Sequence, residues 1–320
     1  MNNYSTSKKL IKVSQKFIKI SYYSIFNKLQ KQKGIFYGWG RKKSGFKAIQ
    51  LAQKYKTSFI LLEDGFIRSL GLGVEDSPSF SLVEDDVGIY YDATAPSKLE
   101  NLLNHYDFKT DKELMADASQ AIALIQKHHI SKYNHAPHIT NDFFKNKNEQ
   151  RVLVIAQTAG DSSLEYGMLE NFTTQEMIQS AIEENPNATV YIKIHPDVLS
   201  GKKASDIEVI NIPNECIILD QNVNPLSLLK YFQKVYTKTS GMGFEALLVG
   251  CECICFGMPF YAGWGVTTDK STSTRRQAKR SIEEVFAAAY ILYTRYYNPY
   301  KKRECDIFEV IEEIRKRRKI

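Results

Sequence analysis

No uninterrupted apolar run in this chain approaches the roughly 20 residues that a membrane-spanning helix needs. No secretory leader is expected either, because the lysine-rich N-terminus spaces its apolar residues periodically instead of massing them. Cysteine is scarce, with five in 320 residues, and none stands in the Cys-x-x-Cys pairing that announces zinc. The alternation of Cys251, Cys253 and Cys255 reads as one face of a buried strand, and a reducing cytoplasm suits such thiols. Neither a Walker loop nor the Rossmann glycine fingerprint is present, which argues against ATP or NAD held in the usual way. No aromatic-interleaved basic motif points to nucleic acid.

What is present suffices for two ordinary domains, since 43% of the residues are hydrophobic. The net charge of +7 concentrates at the ends, in lysines 8, 9, 12, 16 and 19 and in residues 315–319. Leu10, Val13, Phe17 and Ile20 recur at helical spacing with Lys12, Lys16 and Lys19 largely opposite, so residues 1–30 read as a basic amphipathic helix. Two readings of segment 8–29 stand: a helix lying in an anionic membrane interface, or a stripe packed on its own domain. The C-terminal cluster reads as a solvated tail.

Between these ends, short strands alternate with helices. Strands are expected at 34–40, 58–62, 80–83 and 88–91, and helices after the first of these and at 96–106 and 111–128. Residues 131–149 lack periodicity and read as a linker. A second series follows, with strands at 151–155, 189–194, 216–219, 234–237 and 251–256 and helices at 172–184, 225–232 and 243–249. The run 151–155 is the continuous apolar stretch of a central parallel strand. Two α/β blocks imply two doubly wound sheets facing each other, an N-terminal one over 31–145 and a C-terminal one over 150–280. A helical segment over 281–296 then opens a C-terminal portion, 281–320, that crosses back to the first domain.

Ligands of open α/β sheets bind outside the carboxyl ends of the strands, and three motifs lie at such ends. Strand 58–62 delivers Glu63 and Asp64, and a carboxylate there can act as general base for a sugar hydroxyl; the plain alternative is an N-cap or a salt-bridge partner for Arg68. Lys193 and His195 share a face of a strand that Pro196 stops, a suitable pair for a phosphate or leaving group. Lys238, Ser240, Gly241 and Gly243 form a hydroxyl- and glycine-lined turn that opens a helix and favours an anion. Glu245, in that helix's first turn, either accepts ribose hydroxyls or caps its own helix. Tyr261 and Trp264 occupy a glycine-flanked aromatic loop, suited to a base or sugar or to ordinary packing.

Together these segments resemble the capsule-polysaccharide synthesis family of bacterial Kdo transferases, the KpsC type. The matching text is Gly38-Trp-Gly-Arg-Lys-Lys-Ser-Gly45, Leu62-Glu-Asp-Gly-Phe-Ile-Arg-Ser69, Gln157-Thr-Ala-Gly-Asp161, Lys193-Ile-His-Pro-Asp-Val198, Ser240-Gly-Met-Gly-Phe-Glu245 and Phe260-Tyr-Ala-Gly-Trp-Gly265. The resemblance implies a GT-B fold, two Rossmann-like domains with the active site in the cleft between them. It implies retaining transfer of β-Kdo from CMP-β-Kdo to a glycolipid or oligosaccharide acceptor, at the inner face of the cytoplasmic membrane. On that pattern Asp64 with Glu63 serves the acceptor hydroxyl, and His195, Lys193 and Ser240 meet the phosphate. Glu245 contacts the nucleotide and Arg68 the Kdo carboxylate, and neither a metal nor another cofactor is expected.

One position departs from the family. Its members read Asp-Gln-Thr-x-Gly-Asp where this chain has Ala156-Gln157-Thr158-Ala159-Gly160-Asp161. Double displacement needs a carboxylate nucleophile, which alanine cannot supply. Three explanations stand: Asp161 is the nucleophile, Ala156 is an engineered inactivation, or the protein is naturally impaired. The last two leave a silent CMP-sugar- or glycan-binding subunit, and a transferase of another CMP-linked ulosonic acid is the remaining alternative.

Overall fold

The structure, a computed structural model, describes residues 2–318 apart from 73–76, 141, 145, 147, 148, 169, 195–197, 199–203, 205 and 208–210. The first strands are β1 (Asn3–Ser5), β2 (Ser21–Tyr22), β3 (Ile35–Trp39), β4 (Phe59–Asp64) and β5 (Ser81–Asp85). A second group comprises β6 (Arg151–Ile155), β7 (Thr189–Lys193), β8 (Ile217–Leu219), β9 (Lys234–Thr237), β10 (Glu252–Cys255) and β11 (Thr268–Asp269), and β12 (Thr294–Asn298) and β13 (Arg303–Cys305) follow. They assemble into one sheet of order β13-β12-β5-β4-β3-β1-β2 and another of order β11-β10-β9-β6-β7-β8. The two α/β lobes face each other across a cleft, the expected GT-B arrangement.

The second sheet is parallel throughout, and the reason is legible in β6. All five of its residues are buried because helices cover both faces. Val152 and Val154 pack with Met177, Ile178 and Ala181 of the helix Thr174–Glu183 on one side. Leu153 and Ile155 pack with Leu228, Val235 and Ala246 on the other. Cys251, Cys253 and Cys255 are buried free thiols.

The first sheet differs from the doubly wound expectation. It is parallel from β2 to β4, but β5 runs antiparallel to β4, and β12 antiparallel to β5. Residues 88–91 form no strand. The Asp85 carboxylate accepts the N–H groups of Val87 and Gly88 at 2.9 and 2.7 Å and of Lys98 at 3.1 Å, which turns the chain instead of extending it. The expected helix over 281–296 also stops early. The helix Ile282–Phe286 runs into a π-helical turn, Ala287–Leu292, and the β-favouring Thr294-Arg-Tyr-Tyr then joins β5.

The N-terminal segment is not one helix. Helix Lys8–Ser14 is followed by β2 and by a second short helix, Ile25–Leu29. Leu10, Phe17 and Ile20 are buried with Tyr37, Leu62 and Leu82, so the stripe packs on its own domain. Only Val13 of that stripe is exposed. The C-terminal cluster is more than a solvated tail as well. Arg318 donates to His128 O, His129 O and Asn134 Oδ1, and Arg317 pairs with Glu313. Among the described residues no helix is long and apolar enough to cross a membrane.

A buried ion pair locks the lobes together. Glu100, in helix Lys98–His105 of the first lobe, takes Arg275 Nε at 2.8 Å and Arg276 Nε at 3.3 Å. Arg276 also donates to the carbonyls of Met258, Pro259 and Ala262. Replacing Glu100 by Gln leaves the guanidinium buried without a counter-charge. Denaturant melts of Glu100→Gln should show a loss of about 3–5 kcal/mol; a loss below about 1 kcal/mol would show the pair to be dispensable.

Candidate active site

Where the carboxyl ends of both sheets meet lies a cavity of about 740 Å³. Its walls come from both lobes, which is what a reaction between a donor and an acceptor requires. From the first lobe come Glu63, Tyr90 and Lys132; from the second come Gln157, Asp161, Lys193 and Ser240.

Glu63 is the penultimate residue of β4, with its side chain toward the cavity. Trp39 Nε1, from the Gly38-Trp39-Gly40 motif, donates to its carboxylate at 2.8 Å, and the Asp64 N–H does so at 3.2 Å. Burial, reinforced by the neighbouring Asp64 charge, pushes its pKa up to about 7. That value lets it hold or release a proton near neutrality. Asp64 is one residue further along the strand and so turns to the other face. There Arg68 Nε meets it at 3.0 Å. Neither Asp64 nor Arg68 lines the cavity, so their expected place in it is corrected in favour of the salt bridge.

On the second lobe, Ala156 and Gln157 prolong β6. The Ala156 N–H donates to Lys193 O at 3.1 Å, and its methyl group touches the cavity from within the apolar cluster of Val154, Ile192 and Ile194. Gln157 ties two loops together: its Oε1 accepts the Thr239 N–H at 2.9 Å, and its Nε2 donates to Thr239 Oγ1 at 3.1 Å. Gly160 then takes a left-handed φ of +77°, which a side chain rarely tolerates. This turn brings Asp161 to the N-cap of helix Ser162–Gly167, exposed in the cavity wall, with its carboxylate accepting the Ser163 N–H at 2.9 Å.

Lys193 ends β7, with Nζ donating to the carbonyls of Ile194 and Gln221 at 3.2 and 3.1 Å. Burial lowers its pKa to about 8. Its expected partner, His195, lies outside the described residues. Ser240 and Gly241 line the cavity; Lys238 and Gly243 of the same motif do not. Lys238 turns away and meets Asp206 at 3.2 Å in a buried pair. Gly243 serves packing, because a Cβ there would lie 2.1 Å from the Tyr261 hydroxyl. Tyr261 and Trp264 are buried side chains whose polar atoms are taken by Ser240 O and Phe260 O. Phe260 is the aromatic of that loop that reaches the cavity.

Glu245 does line the cavity, but it does not cap its own helix. Its Oε1 accepts Ser131 Oγ at 2.5 Å and the Lys132 N–H at 3.3 Å. Burial pushes its pKa up to about 7, against those hydrogen bonds. Lys132 is among the cavity residues that local pattern does not reveal: with Ser131, Tyr133 and His135 it stands in the stretch read as linker, and only tertiary pairing brings it to the site. Its carbonyl accepts the Arg68 N–H at 3.0 Å, and the Asn134 N–H reaches Leu70 O. Burial opposes the charge of Lys132, yet Tyr90, Tyr133, Asp64 and Glu63 outweigh it and hold it protonated. Phe66, Tyr90, Phe260 and Tyr290 add an aromatic wall, with the Phe66 and Phe260 rings 4.7 Å apart. Among the described residues no group of three or more His, Cys, Asp or Glu side chains is poised to hold a metal.

Glu245 costs stability when ionised. Its folded pKa lies above the ordinary 4.5, so the native state binds the extra proton, and stability falls as pH rises from about 4.5 to about 7. Glu245→Gln, which keeps an acceptor for the Ser131 hydroxyl, should therefore be more stable than the parent by about 3 kcal/mol at pH 8. The gain should vanish near pH 4, as read from urea midpoints at the two pH values. A pH-independent difference would refute the assignment.

Comparison with known proteins places this geometry. Residues 36–296 match the family described as capsule polysaccharide biosynthesis protein. The capsule polysaccharide modification protein LipA of Neisseria meningitidis serogroup B is 44% identical over 283 residues, which is 86% of this chain and 40% of LipA. The lipopolysaccharide-processing protein LpsZ of Rhizobium meliloti is 38% identical over 79% of this chain and 58% of its own. The chain thus spans less than two thirds of the curated relatives it matches. The solved structure of the Thermosulfurimonas dismutans KpsC β-Kdo 2,4-transferase superposes with a TM-score of 0.90 at 41% identity, covering 98% of both chains. That of the KpsC β-Kdo 2,7-transferase from the same organism reaches 0.74 at 30% identity, also over 98% of both. A two-lobed α/β chain with a cleft of this composition, matched over most of its length, belongs to the capsule polysaccharide biosynthesis family.

Proposed function

We propose that this chain is a retaining glycosyltransferase that moves β-Kdo from CMP-β-Kdo to a glycolipid or oligosaccharide acceptor in capsule or lipopolysaccharide synthesis. The observation that carries the reading is the meeting of Glu63 and Asp161, from opposite lobes, in one cavity that also holds Lys193 and Ser240. The likeness to the two Kdo transferase structures supports the choice of sugar.

The Asp161 carboxylate attacks the anomeric carbon of Kdo as the bond to the phosphate oxygen breaks, and CMP leaves with the electron pair. Lys193 and Ser240 receive the charge of the leaving phosphate. In the second step the acceptor hydroxyl gives its proton to Glu63 and displaces Asp161 from the same carbon. Two inversions amount to retention. Ala156 is no obstacle to this route, because Asp161, exposed in the wall of the same cavity, supplies the carboxylate. Lys132 takes the Kdo carboxylate in place of Arg68, whose guanidinium is engaged by Asp64. No metal or other cofactor enters the scheme, since protein donors meet each developing charge.

Asp161→Asn should lose transfer by at least about three orders of magnitude. Glu63→Gln should lose about 10²–10⁴ while a species heavier by one Kdo accumulates in the intact-protein mass. An inactive parent chain, with transfer and adduct appearing only in Ala156→Asp, would move the nucleophile to position 156. No product and no adduct in any variant would favour the silent binding subunit, and a panel of CMP-sugars would expose another ulosonic donor.

The pH profile offers a separate check. Glu63 works as a base only when ionised, so kcat/KM should rise with pH toward about 7. It should fall again as Lys193 loses its proton near 8. Glu63→Gln should abolish the acid limb and Lys193→Met the alkaline one; limbs that persist in both variants would exclude these groups. Lys132→Met should raise the KM for CMP-Kdo by about tenfold or more without weakening CMP alone.

A further inference from the structure

The transfer chemistry makes no use of the first 33 residues, yet they carry an inverted helix. In Ile25–Leu29 the residues at positions 25, 26 and 29 share one face by their spacing of three and four. That face points to water: Ile25, Phe26 and Leu29 are 78%, 64% and 76% exposed, and none joins a core cluster. The turn is held firmly in this attitude. Ser24 and Asn27 form a reciprocal capping box, Asn27 Nδ2 donates to Gln32 Oε1 at 2.7 Å, and the buried Tyr4 and Tyr23 hydroxyls donate to Gln32. Its polar groups therefore face the protein and its apolar groups the solvent, the reverse of a surface helix.

The surroundings are as lopsided in charge. Residues 1–62 hold fourteen of the chain's 43 Lys and Arg and none of its 36 Asp and Glu, so the remainder is net acidic. Lys28, Lys31 and Lys33 flank the apolar face and are exposed, as are Lys8, Lys9 and Lys12 on the neighbouring helix. Among the described residues none of these lysines is in an ion pair, and Lys8 instead lies over the ring of the exposed Tyr22 at 5.4 Å. Six of the nine large hydrophobic side chains that stay exposed among the described residues fall between positions 13 and 46. Apolar side chains projecting from a segment with no carboxylate of its own match a bilayer, which offers acyl chains beneath anionic headgroups. An acidic protein surface would satisfy the lysines but would leave three adjacent aliphatic and aromatic side chains facing polar groups.

We propose that Ile25, Phe26 and Leu29 form a wedge that inserts between the headgroups of an anionic membrane, with Lys28, Lys31 and Lys33 binding the phosphates around it. The stripe Leu10, Phe17 and Ile20 plays no part, being buried. This surface stands independently of the proposed transfer reaction. Flotation of the full chain with phosphatidylcholine vesicles, with and without about 30 mol % phosphatidylglycerol, tests it at about 0.05 M and about 0.5 M salt. The chain should float with the anionic vesicles alone and lose most of its binding at the higher salt. Replacing Ile25, Phe26 and Leu29 together by Ser should weaken binding at least about tenfold, with no change in thermal unfolding. Changing Lys28, Lys31 and Lys33 to Gln should cost roughly fivefold per lysine. Equal flotation of the triple serine variant would overturn the proposal. So would light scattering that shows a parent dimer and a monomeric serine variant with unchanged vesicle binding, for the face would then be a contact between copies. An acidic soluble partner captured in place of vesicles would overturn it as well.

Discussion

The cleft depends on one buried carboxylate. Glu245 belongs to the second lobe, yet both its hydrogen bonds go to Ser131 and Lys132, where the chain leaves the helix Lys112–His128 of the first. Through that contact the end of the long helix is seated against the second lobe, and Lys132 is carried to the cavity rim. The same residues engage β4's exit loop, since Arg68 and Ser69 donate to Lys132 O. The geometry that places Glu63 of the first lobe and Asp161 of the second in one cavity is thus tied through a group whose ionisation opposes folding.

That opposition follows from the site's own chemistry. A cavity dry enough to strengthen electrostatic interactions also shifts the ionisable groups buried in its wall. Glu63 and Glu245 are moved up and Lys193 down, all toward neutrality, where proton transfer is useful. Stability is recovered away from the chemistry, in the Glu100–Arg276 lock, in the shared apolar core of both lobes and in the aromatic packing of Phe66, Phe244, Phe260 and Tyr290.

Much of the second lobe is legible in its residues alone. The run Arg151–Ile155 reads as a strand buried on both faces, and its neighbours recur at the spacing of a parallel sheet. Strand ends also locate Glu63, Gln157, Lys193 and Ser240, because open sheets bind ligands there. The failures share a cause. Asp64, Arg68, Lys238, Gly243, Tyr261 and Trp264 stand beside true cavity residues in the sequence, but a strand sends neighbours to opposite faces and a folded loop buries part of its length. Residues 88–91 have a strand-like composition, but the Asp85 carboxylate takes the N–H groups of Val87 and Gly88 and turns the chain there. Ile25–Leu29 continues the apolar pattern of the preceding stripe, and only its own cap sets it apart as a separate helix.

Local pattern and composition by themselves determined the α/β class, the two-block organisation and the motifs that mark the family, because periodicity and strand-end chemistry are written in adjacent residues. Only the tertiary structure decided that Lys132 enters the cavity, that Arg68 is spent on Asp64, that Ala156 reaches the cavity wall from an apolar cluster while Asp161 stands exposed in it, and that Leu10 hides where Ile25 shows. Each of these turns on which of several available partners a side chain meets, and that choice depends on residues tens or hundreds of positions away.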